Sequence, residues 1–339
     1  MTKILFPPTS KAGLLLAGDI GGTKALLGLC QAQAVAGQPR FVFKEKYACA
    51  GYATFSDLLA EFLVASGTKD GDISGGCLAI AGPVSGDGRT ARLTNLPWSI
   101  DTELICRESG ISHLALVNDF YAAAAGISVV AADDLLVLQA GQPDPRGVRL
   151  VIGAGTGLGM AVLVPQENFW RILPGEAGHT GFAPANAQQA ALWAHLLKVG
   201  GRVSNERVIS GNGLASIYRF LAGNDADSVV LGAADPAAAI AALAAGKPDG
   251  NAGRAMELFF SVYGAFAGDM ALALMATGGV FLSGGIAVKN LPQLQSSPFI
   301  REFNAKAEHA ALAMRMPVKV VTDLELGLKG AAHHALMMN

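Results

Sequence analysis

Gly18-Asp19-Ile20-Gly21-Gly22-Thr23-Lys24 follows the apolar run Leu14 to Ala17 and leads into a second run from Ala25 to Cys30. A short apolar stretch, a glycine-rich turn and another apolar stretch read as strand, tight turn, strand. The same pattern returns at Arg149, where Leu150 to Ile152 runs into Gly153-Ala154-Gly155-Thr156-Gly157 and resumes from Met160 to Val164. One such opening is an ordinary hairpin turn. Two of them, each near the start of half the chain, point to two related halves.

Outward from the first hairpin, Phe41 to Ala48 adds a third strand, and Phe55 to Ser66 carries apolar residues at helical spacing. Cys77 to Ala81 and Leu114 to Val117 are further short strands, the latter stopping at Asn118-Asp119. In the second half, Val280 to Leu282 runs into Ser283-Gly284-Gly285, again strand into glycine turn. Ala237 to Ala245 and Ala310 to Met314 are helical by propensity, and Asp323 to Met338 reads as a closing helix in which Gly327 and Gly330 allow close packing. The most apolar region, Phe259 to Leu282, is broken by Gly264, Asp269 and Gly278-Gly279, so it reads as a core helix leading into a strand rather than a membrane span.

The chain of 339 residues exceeds what one compact core usually organises, and with 51% hydrophobic and 15% charged residues it has apolar material for two cores. A formal net charge of −2 gives no electrostatic footprint for nucleic acid or an anionic membrane, so small-molecule partners are expected. Cys30, Cys49, Cys77 and Cys106 form no Cys-x-x-Cys pair, which argues against structural zinc and a secreted disulfide framework. Lys3 is followed by Pro7 and Pro8 before any long apolar stretch, so no signal peptide is read and a cytoplasmic location is expected.

The glycine turns suit a polyphosphate, because only a glycine-rich backbone lets N–H groups approach its oxygens closely. Thr23 and Lys24 add donors, and Asp19 is a ligand for Mg²⁺, directly or through water. Leu158 stands where the dinucleotide fingerprint requires glycine, and there is no G-x-x-x-x-G-K-[ST] loop, so neither of those nucleotide motifs applies. Asn118-Asp119, at the end of an apolar strand, faces the usual ligand crevice of a parallel sheet; Asp119 is either a general base or the cap of the next helix. Glu176 and His179, three residues apart in a glycine-rich loop, match neighbouring hydroxyls of a sugar. Glu206 adds a second carboxylate for that edge, or is a solvated helix residue paired with Arg202 or Arg207.

Asp19-Ile-Gly-Gly-Thr, Asn118-Asp119, Gly153-Ala-Gly-Thr-Gly-Leu-Gly, Glu176-Ala-Gly-His179, Val203-Ser-Asn-Glu-Arg-Val-Ile-Ser-Gly211 and Leu282-Ser-Gly-Gly-Ile286 occur in an order that resembles the bacterial glucokinases, from about Leu14 to the carboxyl end. That resemblance implies an α/β, two-lobed ribonuclease H-like fold of the actin and hexokinase superfamily, with the active site in the interlobe cleft. It implies a small lobe of residues 14–129 plus 320–339 and a large lobe of residues 130–319. It further implies phosphorylation of glucose by ATP with Mg²⁺ and a homodimer; because water competes as nucleophile, lobe closure on glucose is expected as well. Asp119 resembles the base for the 6-hydroxyl, and Asn118, Glu176, His179 and Glu206 resemble the groups that grip the other hydroxyls. Gly18, Asp19, Ile20, Gly21, Gly22, Thr23 and Lys24, with Gly155, Thr156 and Gly157, correspond to the two phosphate loops; Gly284 and Gly285 resemble the turn beside adenosine. The allied repressor and sugar-kinase family adds a zinc-binding cysteine cluster after its Glu-x-Gly-His motif, and this chain has no cysteine after Cys106. The rival expectations are a kinase for another sugar, or one using polyphosphate as donor, and a non-catalytic sugar sensor.

Overall fold

The computed structural model describes residues 13–33, 38–94 and 96–338. The amino-terminal reading that rested on Lys3, Pro7 and Pro8 lies outside these residues. The chain divides into two compact units, Met1–Ala132 with Asp323–Asn339, and Asp133–Thr322.

In the first unit the strands are β1 (Leu14–Ile20), β2 (Lys24–Gln31), β3 (Phe41–Ala48), β4 (Ile73–Ile80), β5 (Thr90–Arg92), β6 (Ser99–Asp101) and β7 (Leu114–Asn118). Five of them form one sheet in the order β3-β2-β1-β4-β7, while β5 and β6 pair separately. β1 and β2, like β2 and β3, are antiparallel, whereas β1, β4 and β7 run parallel. The continuous apolar run of β1 is explained by cover on both faces. One face packs Leu16, Ile20, Leu27 and Leu29 against Leu58, Leu59 and Phe62 of the helix Phe55–Ser66. That helix begins with a reciprocal Thr54–Asp57 cap and ends at Gly67 in the left-handed region, φ 71°. The other face packs Leu15, Ala17, Cys77 and Ala79 against Ala122, Leu328, Ala331 and Ala332. These come from the helices Asp119–Gly126 and Leu326–Met338.

The second unit contains β8 (Leu135–Gln139), β9 (Arg149–Ala154), β10 (Leu158–Pro165), β11 (Trp170–Gly175), β12 (Gly279–Ser283) and β13 (Val318–Val321). Their order is β11-β10-β9-β12-β13-β8. β9, β10 and β11 form an antiparallel meander and β9, β12 and β13 are parallel. The first unit's sheet is thus repeated, with β8 added antiparallel at one edge. Asn251–Leu274 is the apolar core helix; Phe259, Phe260 and Tyr263 are fully buried in it, and the Tyr263 hydroxyl donates to the Ile152 carbonyl at 3.3 Å. Cys30, Cys49 and Cys77 are buried free thiols, and Cys106 is half-buried and also free.

Candidate active site

β1 extends past its apolar run. Gly18, Asp19 and Ile20 sit in the ladder opposite Leu27, Leu26 and Ala25, so the turn itself is only Gly21 to Lys24, closed by Gly21 N–H donating to the Lys24 carbonyl at 2.9 Å. Gly18 has a packing reason to be glycine, since a Cβ there would lie 2.7 Å from the Leu78 side chain. Thr23 and Lys24 are exposed at the turn. Asp19 is set below it, and burial pushes its carboxyl above the ordinary value, opposed by the positive charge of Lys46. The first turn of the closing helix abuts this carboxylate: a Cβ on Gly327 would lie 2.7 Å from Asp19 Oδ2. Sequence reasoning read Gly327 as a packing glycine, but its neighbour across 308 positions of chain was invisible.

At the carboxyl end of β7, the capping role falls to Asn118 and not to Asp119. Asn118 is extended (φ −65°, ψ 150°), and its Oδ1 accepts from the N–H groups of Phe120 at 2.9 Å and Tyr121 at 3.3 Å. Asp119 becomes the first helical residue, with Oδ1 also accepting from Phe120 N–H at 2.9 Å. The partial positive charge of a helix start is a favourable place for a carboxylate. Asp19 pairs in register with Ala79 of β4, which lies opposite Val117 of β7. Both carboxylates therefore emerge at the carboxyl ends of parallel strands, β1 and β7, on either side of β4, where open α/β sheets bind their ligands.

In the second unit the β9–β10 turn is Gly155-Thr156-Gly157, closed by Gly155 N–H donating to the Gly157 carbonyl at 2.8 Å, with Thr156 exposed at the tip. Ser283 pairs with Gly153, and Gly284 (φ 85°) comes so close to Ala154 that a Cβ would lie 2.6 Å from its carbonyl oxygen. The two glycine turns of this unit are thereby brought side by side. Glu176 precedes and His179 ends a single helical turn after β11, their side chains exposed and 3.8 Å apart. Gly178 between them presses on β10, where a Cβ would meet the Leu158 carbonyl oxygen at 2.2 Å.

Glu206 is neither helical nor paired with Arg202 or Arg207. Arg202 donates to the His179 carbonyl and Arg207 to the carbonyls of Leu196, Gly200, Gly201 and Arg202. Glu206 Oε2 instead accepts from Leu158 N–H at 2.9 Å, at the exit of the phosphate-type turn. Asn205, overlooked in the sequence, is buried and holds Thr180 through three hydrogen bonds of 2.9 to 3.2 Å. Among the described residues no group of three or more His, Cys, Asp or Glu side chains is placed to hold a metal ion. A single carboxylate suits Mg²⁺, which takes one or two carboxylates and completes its shell with substrate phosphates and water.

A sheet of one topology built twice, glycine turns at the carboxyl ends of its parallel strands and carboxylates beside them define a sugar kinase of the actin-like ATPase fold. The family model "Glucokinase" matches residues 16–338. The glucokinase of Nostoc punctiforme is 39% identical, the match covering 94% of this chain and 98% of that one. The glucokinase of Chromobacterium violaceum is 35% identical over 94% of this chain and 88% of its own. Among solved structures, a glucokinase from an Antarctic psychrotroph superposes with a TM-score of 0.82 at 30% identity, covering 96% of this chain and 99% of that one. A glucokinase from Balamuthia mandrillaris in complex with glucose superposes with a TM-score of 0.75 at 25% identity, covering 96% and 95%. The chain belongs to the glucokinase family: it is a hexose kinase, a phosphotransferase with an alcohol acceptor.

Proposed function

We propose that the protein transfers the γ-phosphoryl group of ATP to the 6-hydroxyl of D-glucose, with Asp119 as general base. The observation that carries this reading is the Asp119 carboxylate at a helix start, directly after a parallel strand and beside a cap supplied by Asn118. In the reaction the glucose O6 forms a bond to the γ-phosphorus as the bond to the β,γ-bridging oxygen breaks. The hydroxyl proton passes to Asp119, and ADP leaves with the bridging oxygen. Positioned bases of this kind contribute about 10²- to 10⁴-fold.

Asn118, Glu176, His179 and Glu206 hold the other hydroxyls and so fix the direction of O6. Gly21 to Lys24 and Gly155 to Gly157 cradle the phosphates, and Gly284-Gly285 adjoins the adenosine; Gly18 and Ile20, paired in the β1–β2 ladder, support the first turn from below. Asp19 would hold Mg²⁺, which when bound would neutralise the phosphate charge. The Asp19 carboxyl supports this, because burial disfavours its ionised form against the opposing charge of Lys46, and a bound cation would favour that form. The rest of catalysis is alignment, since phosphoryl transfer asks little covalent chemistry of the protein. A cytoplasmic homodimer completes the reading; sedimentation gives its mass directly.

The test is ADP release from ATP with no sugar and with glucose, mannose, fructose or N-acetylglucosamine, and again with polyphosphate replacing ATP and sugar phosphate as the readout. Glucose with ATP gives the highest kcat/KM. A higher value for another acceptor or donor assigns the site to that substrate instead.

A further inference from the structure

Within the second unit, the segment Val203 to Gly211 is bonded to both the nucleotide-type turn and the sugar-type loop. Towards the turn, Gly211 N–H donates to the Gly155 carbonyl at 2.8 Å and Glu206 Oε2 accepts from Leu158 N–H at 2.9 Å. Towards the loop, Glu206 N–H donates to the Gly178 carbonyl at 2.9 Å, and Asn205 N–H to the Thr180 carbonyl at 3.0 Å. The Asn205 amide adds bonds to the Thr180 carbonyl at 3.2 Å and hydroxyl at 2.9 Å, and Ser204 bridges to Gly181. Asn205 is only 5% exposed, so its donors are committed to this loop, whereas Glu206 keeps part of its surface open.

A carboxylate has about four lone-pair sites on its two oxygens, and the Leu158 N–H occupies one. We propose that Glu206 is a shared carboxylate that couples the two substrates: it braces the Gly155–Gly157 turn through Leu158 while binding a sugar hydroxyl, with Asn205 as the residue that positions it. The inference rests on the sugar-binding role given to Glu206 above. A hydroxyl that captures the carboxylate fixes the acceptor facing Leu158, and a phosphate that orders the turn fixes the carboxylate facing the sugar. Linkage makes the effect reciprocal: each ligand tightens the other by the same factor, typically about 5- to 150-fold for coupled sites.

Gly157 provides the test, because it belongs to the nucleotide turn yet a Cβ on it would lie 2.6 Å from Glu206 Oε2. Its φ is not in the left-handed region, so Gly157→Ala suits the backbone and displaces the mobile end of a side chain rather than the fold. Calorimetry on the full chain without nucleotide should show glucose Kd rising about 5-fold or more in Gly157→Ala. The factor by which the analogue AMPPNP tightens glucose should fall towards one. Unchanged glucose affinity together with an unchanged coupling factor overturns the proposal. If circular dichroism shows Gly157→Ala to be unfolded, Asn205→Asp takes its place: loss of the coupling factor supports the brace, and its retention refutes it. A wild-type chain that binds no glucose refutes the sugar reading of the site, which is a separate result.

Discussion

The two sheets share a meander followed by parallel strands, yet the ends of their strands carry different chemistry. In the first unit carboxylates stand at the ends of β1 and β7, Asp19 just before the last residue of β1 and Asp119 directly after β7; in the second, β9 and β12 run into glycines, Gly155 and Gly284-Gly285. The matching position to Asp19, two residues before the turn, is Gly153. Both copies offer the backbone N–H groups of a glycine turn, which suit an anion, and the first adds fixed negative groups that suit a cation and a proton. The second unit does use a carboxylate at its turn, but takes it from a distant segment: Glu206 reaches Leu158 from 48 positions away in sequence. The two sheets share a backbone plan, and different residues at the strand ends divide the work.

This contrast is most severely tested at Asp119. Asp119→Asn should fold normally and keep glucose affinity within a few-fold by calorimetry, while turnover drops by at least about 100-fold. Near-normal turnover would remove the carboxylate from its role and leave the strand ends chemically equivalent. On the other unit, Glu176→Gln should weaken glucose binding by about 1.5 to 3 kcal/mol, the usual worth of a hydrogen bond to a charged group, with kcat changed less. An unchanged Kd would place the Glu176 loop outside the sugar site.

A smaller effect separates the two turns thermodynamically. The Asp19 carboxyl is raised in the folded chain, so the native state binds more protons than the unfolded state between the ordinary carboxyl pKa and the raised one. Its contribution to stability is therefore present below the unfolded value and is lost as pH rises through the folded value. Ligand-free Asp19→Asn should melt higher than wild type at neutral pH, and the difference should vanish at low pH even though the variant loses activity. A variant that melts lower at neutral pH would show that Asp19 is stabilised rather than strained by its surroundings. No comparable gain is expected at Gly153.

Local features were readable wherever the pattern is short in range. Phe41–Ala48 and Phe55–Ser66 have the bounds read from the sequence, the helix from apolar residues at helical spacing. The repetition of strand, glycine turn and strand disclosed the duplication because both copies begin with it. Sheet order was not readable, since the pairing of β1 with β4 and of β9 with β12 joins segments separated by whole helices. The cap at Asn118 was misplaced by one residue, because Asn and Asp serve equally well and only the backbone angles decide between them. Gly327 beside Asp19 and Asn205 beside Thr180 left no periodic signal, as each answers to a single neighbour brought near by folding.

The account stands on transfer to one particular oxygen, and phosphorus NMR of the product reads that directly. With ATP, Mg²⁺ and glucose, the protein should form one glucose 6-phosphate for each ADP, and 6-deoxyglucose should inhibit without being phosphorylated. ADP accumulating at the same rate without sugar, or phosphate appearing on any other carbon, would contradict it.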